Sequence, residues 1–173
     1  VYDAQLARLG GNILKTRINY CESLNRKAME IYAGMSGGKE KFAAEYLSTC
    51  LEHGEHANSS MSTQSLAQKF YEKLYASRGA DIEHGTTSVG PHRDDIEVTL
   101  DELPEASFGS QGQQRTVALS LKMAEIKLVK KIINDIPILL LDQVMSELDT
   151  DRRNALIDEI KDIQTIITCT GYD

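Results

Sequence analysis

The chain has 173 residues, a net charge of -7 and 41% apolar residues with no Trp and three Phe. It is long enough for one domain plus an appendage, with a core that must be mainly aliphatic. No run approaches the roughly 18 to 20 apolar residues of a membrane span, and the acidic balance excludes a chain coated throughout with nucleic-acid-binding surface.

The chain opens Val1-Tyr2-Asp3-Ala4-Gln5, without a basic region leading into an apolar one, so a signal peptide is not expected. The missing initiator Met points to a fragment. From Leu14 to about Tyr32 the residues Leu14, Ile18, Cys21, Leu24, Ala28 and Ile31 recur at steps of three and four, the helical period. Leu6, Leu9 and Ile13 extend the pattern back towards Asp3. A helix of about 30 residues, some 45 Å long, is predicted, with Gly10-Gly11 as a place to kink and Gly34 and Gly37-Gly38 as its end. In Lys41 to Ser48, Phe42, Ala44 and Tyr46 alternate with exposed positions, which suits an edge strand, although Ala43, Ala44 and Leu47 also tolerate helix. Glu52 to Asn58 reads as loop. A second helix follows from Ser62 or Thr63, either of which can cap it, to about Arg78, with Leu66, Phe70, Leu74 and Tyr71 as inward candidates and Gly79 closing it.

A second region begins near Thr86. Ile96, Val98 and Leu100 alternate with Glu97 and Thr99 as a strand, and Asp101 to Pro104 reads as a turn. The stripe Val117, Leu121, Ala124, Leu128, Ile132, widened by Val129 and Ile133, predicts a long helix from Gly112 to Ile133. Ile136 to Leu141 is nearly all apolar, as in a central parallel strand covered on both faces. A helix over Asp151 to Asp162, with Leu156, Ile157 and Ile160 inward, and a strand over Gln164 to Thr170 complete a strand–helix–strand crossover. The architecture is α/β, with residues 1–85 as a helical arm carrying a small strand element and 86–173 as a lobe with parallel strands.

Three short stretches carry candidate chemistry. Ser110-Gln111-Gly112-Gln113-Gln114-Arg115 stands at the entrance of the long helix, where first-turn N–H groups and the helix dipole form an anion site and Ser110 adds a hydroxyl donor. An ordinary Ser-capped helix explains the same residues. Ile138 to Asp142 is an apolar strand ending in a carboxylate at the edge where α/β sheets bind ligands, a place from which Asp142 could hold Mg²⁺ through water. Ser146-Glu147-Leu148-Asp149 follows, with Asp149 or Thr150 able to cap the next helix.

The three occur in one order within about 40 residues. In that order Ser110–Arg115 resembles an ABC signature, Ile138–Asp142 a Walker B strand and Ser146–Asp149 a D-loop. With Val89-Gly90-Pro91-His92-Arg93-Asp94-Asp95 upstream, the opening Asp3 to Gly10, and Ser36-Gly37-Gly38-Lys39-Glu40, the whole chain resembles the RecF family of ABC-type, SMC-like DNA-repair ATPases. That resemblance implies a partial ABC-ATPase lobe with a helical arm, from the carboxyl-terminal half of a cytoplasmic protein. It implies ATP and Mg²⁺ as cofactors, an ATP-dependent homodimer, DNA at single-/double-strand junctions, and a RecR-like recombination mediator as partner, with no membrane. By position, Ser110, Gln111, Gly112 and Gln113 would face the nucleotide of the opposite subunit. Asp142 would serve the metal, and Ser146, Glu147 and Asp149 would lie at the dimer seam. An SMC-like head, which would call for a longer heptad arm, and a non-catalytic partner-binding module are the rival readings.

Two departures stand out. No GxxxxGK[ST] P-loop occurs; Gly38-Lys39 has Ala33 and Glu40 at the positions that matter, so this chain alone is not expected to hydrolyse ATP. Gln143 follows Asp142 where the family leads one to expect a catalytic carboxylate, and an amide cannot accept a proton from an attacking water. Among the other residues, Arg8, Lys15, Arg17, Arg26 and Lys27 give the arm a basic side, and His92 and Arg93 are candidates for DNA or partner contact. His53 and His56 with Glu52 and Glu55 form a loop cluster that lacks the HExxH spacing of a metal site. Cys21, Cys50 and Cys169 are too scattered for a zinc or disulfide framework.

Overall fold

A computed structural model of the chain describes residues 2–169, without the side chains of Ala106, Phe108 and Glu147. The elements in order are α1 (Tyr2–Ser36), β1 (Phe42–Leu47), α2 (Thr63–His84), β2 (Asp95–Leu100), β3 (Leu103–Pro104), α3 (Glu105–Phe108), α4 (Gln111–Ile133), β4 (Leu139–Asp142), α5 (Thr150–Ile160) and β5 (Thr165–Thr168). Single 3₁₀ turns stand at Pro91–Arg93 and Val144–Glu147. Two compact units divide the chain: 1–23 with 44–97, and 24–43 with 98–173. The polypeptide passes from one to the other within α1, within β1 and within β2.

The first unit is held by α2 against the amino-terminal part of α1. Leu14, Ile18 and Cys21 of α1 meet Leu66, Phe70 and Leu74 of α2, with Tyr46, Cys50 and Leu51 completing the core. α1 runs unbroken through Gly10-Gly11. These glycines serve packing instead of a kink: a Cβ on Gly10 would lie 2.4 Å from the Phe70 ring, and one on Gly11 2.9 Å from the Thr63 carbonyl. Leu6, Leu9 and Ile13 are exposed, as is Tyr71, because the buried stripe is narrower than their hydrophobicity suggests. Ser62 caps α2 by accepting from the Ser65 N–H at 3.1 Å, and the helix continues past Gly79 to a left-handed Gly85. A single Gly costs a helix only about 1 kcal/mol, too little to stop one anchored by packing.

The second unit packs the carboxyl-terminal part of α1 with α4, β4 and α5. Leu24, Ala28, Ile31, Tyr32 and Met35 are buried, as are Val117, Met123 and Ala124 of α4 and Leu156 and Ile160 of α5. The Tyr32 ring stacks on Phe42 with centroids 5.3 Å apart. On α4, Leu121 and Leu128 are only half-buried and Ile132 is exposed, so the inward face runs through Leu119, Met123 and Ile126 instead.

Two sheets form, a three-stranded one in the order β1-β2-β3 and a parallel pair β4-β5. The expected turn at Asp101 to Pro104 is tighter than read. Asp101 and Glu102 both take left-handed backbone (φ 49° and 68°), and Leu103–Pro104 returns antiparallel to Thr99–Leu100. Right-handed strand twist favours such two-residue turns. The parallel pair aligns Leu139 with Thr165 and Asp142 with Thr168, joined by the α5 crossover. The expectation that Ile136–Leu141 is covered on both faces fails. Only Leu139–Asp142 is strand, with Leu139 and Leu141 buried while Leu140 is 69% and Ile138 57% exposed. Ile166 and Ile167 of β5 and Ile157 of α5 are exposed too. A parallel pair needs sheet neighbours or helices on its second face, and the described residues supply none. The expected strand to Thr170 ends at Thr168; Thr170 itself lies outside the described residues. No helix among the described residues is long and apolar enough to cross a membrane.

Candidate functional site

The start of α4 is built as a capping box. Ser110 takes extended backbone (φ -64°, ψ 158°) and its Oγ accepts from the Gln113 N–H at 3.3 Å, while Gln113 Oε1 accepts from the Ser110 N–H at 2.7 Å. The sequence S-x-x-Q specifies this reciprocal arrangement. Because the Ser110 oxygen is used as an acceptor inward, its O–H remains a donor for whatever lies beyond the helix end. Ser110 and Gln111 are exposed and Gly112 and Gln113 half-buried. The first-turn amides carry the partial positive charge of a 23-residue helix. Capping therefore leaves a polarised, exposed helix start at this place.

Gln113 has a second partner. Its Nε2 donates to Glu40 Oε1 at 2.8 Å, and the other oxygen of Glu40 accepts from the buried Tyr32 hydroxyl. Burial, reinforced by Glu40, pushes the Tyr32 phenol far above its ordinary range, so it stays a proton donor. Gly112 stands against Arg152, whose Nη1 would be 2.9 Å from a Cβ placed there. Arg152 in turn contacts Asp149 Oδ2 at 3.2 Å. Asp149 is the N-cap of α5, accepting from the Arg152 N–H at 2.9 Å, and that backbone bond holds its carboxyl below the usual range. A cavity of about 330 Å³ lies between the end of α1 and the start of α5, lined by residues that include Ser36, Lys39, Glu40, Asp149 and Arg152. Gly37 and Gly38 are left-handed, and the Gly38 N–H returns to the Ala33 carbonyl as a helix stop. This segment is a helix end, and it forms no phosphate cradle of the P-loop kind.

At the carboxyl end of β4, Asp142 is exposed and its Oδ1 accepts from the Thr168 hydroxyl. Gln143 follows in left-handed backbone (φ 55°, ψ 12°), its N–H bonded to Thr168 O at 3.1 Å. A non-glycine residue held there costs energy and recurs at functional sites. Ser146 Oγ donates to the Gln143 carbonyl at 2.8 Å, closing the turn that leads to Asp149. The Glu147 side chain lies outside the described residues.

The remaining candidates are more occupied than their sequence suggests. Lys15 donates to the carbonyls of Ser59 and Met61 at 2.6 and 2.9 Å, Arg17 to that of Pro91, and Lys27 pairs with Glu30 at 2.8 Å. Arg8 and Arg26 are exposed. Arg93 Nε and His92 Nε2 both contact the Thr87 carbonyl, at 3.1 and 3.2 Å. The loop bearing them is fixed by Asp94, which accepts from Tyr46 Oη (2.6 Å), Ser48 Oγ (3.0 Å), Thr49 N (2.8 Å) and Thr49 Oγ1 (3.0 Å). In the His53–His56 loop, Glu52 pairs with Lys73 at 2.9 Å and Glu55 with Lys69 at 3.0 Å. No group of three or more metal-ligating side chains occurs among the described residues.

Sequence reasoning missed Glu40, Tyr32, Arg152 and Thr168. Thr168 was within reach, since a parallel crossover of this length places it opposite Asp142. The link from Glu40 to Gln113 spans 73 positions without a local signal.

A helix start capped by Ser110, an apolar parallel strand ending in Asp142, and an acidic turn leading to Asp149 define part of an ABC-type ATPase lobe. No protein-family model matches the chain. The DNA replication and repair protein RecF of Clostridium perfringens strain 13 is 41% identical over 173 residues, covering 100% of this chain and 45% of that protein. RecF of Clostridium tetani is 42% identical over 173 residues, and RecF of Agathobacter rectalis 43% over 174. A solved structure of the recombination mediator protein RecF-ATP in the RecFOR pathway superposes with a TM-score of 0.82 at 31% identity, over 99% of this chain and 44% of that one. A second RecF structure, with ATPrS, gives 0.81. The chain is of the RecF family along its whole length, and it spans about 45% of the length of the curated relatives it matches.

Proposed function

We propose that the chain is the signature- and Walker B-bearing part of a RecF-type DNA-repair ATPase, residues 1–85 acting as its arm and 86–173 as its share of the lobe. In this reading two copies pair around ATP. The Ser110 hydroxyl and the amides of Gln111 and Gly112 hold the terminal phosphate of the nucleotide bound by the opposite copy, and Gln113 keeps that helix start in shape. Ser146, Glu147 and Asp149 lie at the seam. The observation that carries the reading is the capping box, which uses Ser110 Oγ as an acceptor and leaves its O–H uncommitted at an exposed, positively polarised helix start. The RecF structure described with ATP, matching almost the whole chain, supports it.

Asp142 suits Mg²⁺ held through water. It is an exposed carboxylate at a strand end, oriented by Thr168, and Mg²⁺ takes one or two such carboxylates while keeping several waters. The ion would neutralise charge on the phosphates. Gln143 can orient a water by hydrogen bonding but cannot take its proton, so hydrolysis is slow while pairing persists. The triphosphate also needs a P-loop, which this sequence lacks, and other residues of the complete polypeptide must provide it. In this reading the assembled dimer acts on DNA at single-/double-strand junctions in the cytoplasm and recruits a RecR-like mediator, with His92 and Arg93 among the candidate contacts; the description of a similar RecF structure as part of the RecFOR pathway supports a mediator partner.

The test is sedimentation of the complete natural polypeptide with and without ATP. ATP should drive pairing, and Ser110→Arg should abolish it while leaving ATP binding by each copy intact. Equal pairing with and without ATP would refute the reading and favour a non-catalytic partner-binding module.

A further inference from the structure

We propose that Glu40 is a positioning residue for the start of α4, acting through Gln113; the proposal rests on the nucleotide reading above. Gln113 has one amide group and two duties. Its Oε1 must face the Ser110 N–H at 2.7 Å to close the capping box, and its Nε2 must then face the other way, where Glu40 Oε1 receives it at 2.8 Å. A carboxylate only accepts, so Glu40 admits the Nε2 side of the amide and rejects the flipped orientation, which would set oxygen against oxygen. Glu40 is fixed from its far side by the Tyr32 hydroxyl, on a ring that is fully buried and stacked on Phe42. The series Tyr32–Glu40–Gln113–Ser110 thus runs from the end of α1, through the segment after Gly38, to the hydroxyl assigned to the phosphate. Gln113 has its amide committed on both sides. Its part is to hold Ser110, and Glu40 determines which way round it does so.

Glu40 also lines the cavity that contains Lys39, Asp149 and Arg152. A carboxylate there could instead serve only as a local counter-charge to Lys39 and Arg152. The two roles separate by substitution. Glu40→Gln keeps an acceptor for Gln113 and removes the charge. Gln113→Glu sets two carboxylates against each other. The exchanged pair Glu40→Gln with Gln113→Glu restores every contact: residue 40 donates to residue 113 and accepts from Tyr32, and residue 113 still accepts from the Ser110 N–H.

The experiment uses the complete polypeptide and two readouts. One is hydrogen exchange of the Ser110 and Gln113 amides without nucleotide, and the other is the ATP concentration at half-maximal pairing. Glu40→Ala should speed exchange of both amides and raise the ATP midpoint, each roughly tenfold, the effect of losing one charge-assisted hydrogen bond. Glu40→Gln should lose clearly less than Glu40→Ala, because an amide oxygen at residue 40 still accepts from Gln113 although the charge is gone. Gln113→Glu should lose as much as Glu40→Ala, and the exchanged pair should recover most of it. Unchanged amide exchange in Glu40→Ala, or an exchanged pair no better than Gln113→Glu, would overturn the proposal. Should Glu40→Ala fail to fold, the Gln113→Glu and exchanged-pair comparison decides alone. If the parent pairs without regard to ATP, the nucleotide reading fails, while the exchange measurement still decides what Glu40 does.

Discussion

The α1–α2 packing of the first unit and the β4–β5 pair of the second treat their apolar residues in opposite ways. Between α1 and α2 the glycines at 10 and 11 let the helices approach until Phe70 fills the space, and every large residue of that seam from Leu14 to Leu74 is at most 8% exposed. The loops around it are tied by side-chain hydrogen bonds, with Asp94 alone accepting four, three from hydroxyls and one from the Thr49 N–H. The β4–β5 pair buries one face through Leu139 and Leu141 and leaves the other, with Leu140 and Ile166, to solvent. One region is satisfied by its own residues. The other is a sheet with a face still to be covered, as expected of a lobe whose relatives are more than twice as long.

The largest expected effect is in the closed region. Phe70→Ala removes the ring that meets Gly10 and Gly90 and should cost about 3–5 kcal/mol in urea unfolding. A loss under about 1 kcal/mol would mean that the seam collapses easily and is not rigid. Asp94→Ala leaves the Thr49 N–H and the Tyr46 and Ser48 hydroxyls without their acceptor and should cost about 2–3 kcal/mol, with Asp94→Asn clearly milder. The contrast sharpens further within β4. Leu141→Ala should cost about 2 kcal/mol, and Leu140→Ala, one residue away on the open face, about 0.5 kcal/mol or less. Equal costs would show that the open face is covered in solution. The smallest effect is a pH dependence. Burial, followed by the nearby Asp94 charge, raises the Cys50 thiol to about 11. The unfolded chain loses that proton first, so stability should decline as pH rises from about 9 towards 11. Replacing Cys50 with Ala should flatten that part of the profile.

The periodic elements were legible in the sequence wherever burial and period coincide. α1, α2, α4 and α5 follow from their apolar stripes, β1 from its alternation, and the caps at Ser62, Ser110 and Asp149 from residue type and place. What misled was hydrophobicity without a partner. Ile138 and Leu140 read as buried because an apolar run usually is, and Leu6, Leu9 and Ile13 because they extend a stripe; sequence states the preference of a residue and says nothing of the surface that would receive it. The glycines at 10 and 11 suggest a weak point because their role depends on distant residues of α2: Phe70 for Gly10, and Thr63 and Ala67 for Gly11. For the candidate site, the short-range parts are readable, Asp142 to Thr168 follows from the register of a parallel crossover, and the link from Glu40 to Gln113 has no local signal.

The engagement of Lys15, Arg17 and Lys27 bears on how α1 could meet a polyanion. Of the five cations on its basic side, only Arg8 and Arg26 project without a bond or ion pair among the described residues. A duplex running beside this helix would displace few condensed counterions there. Each neutralised phosphate contributes about 0.9 to the slope of log affinity against log salt, so α1 should add roughly two to that slope where its composition suggests about five.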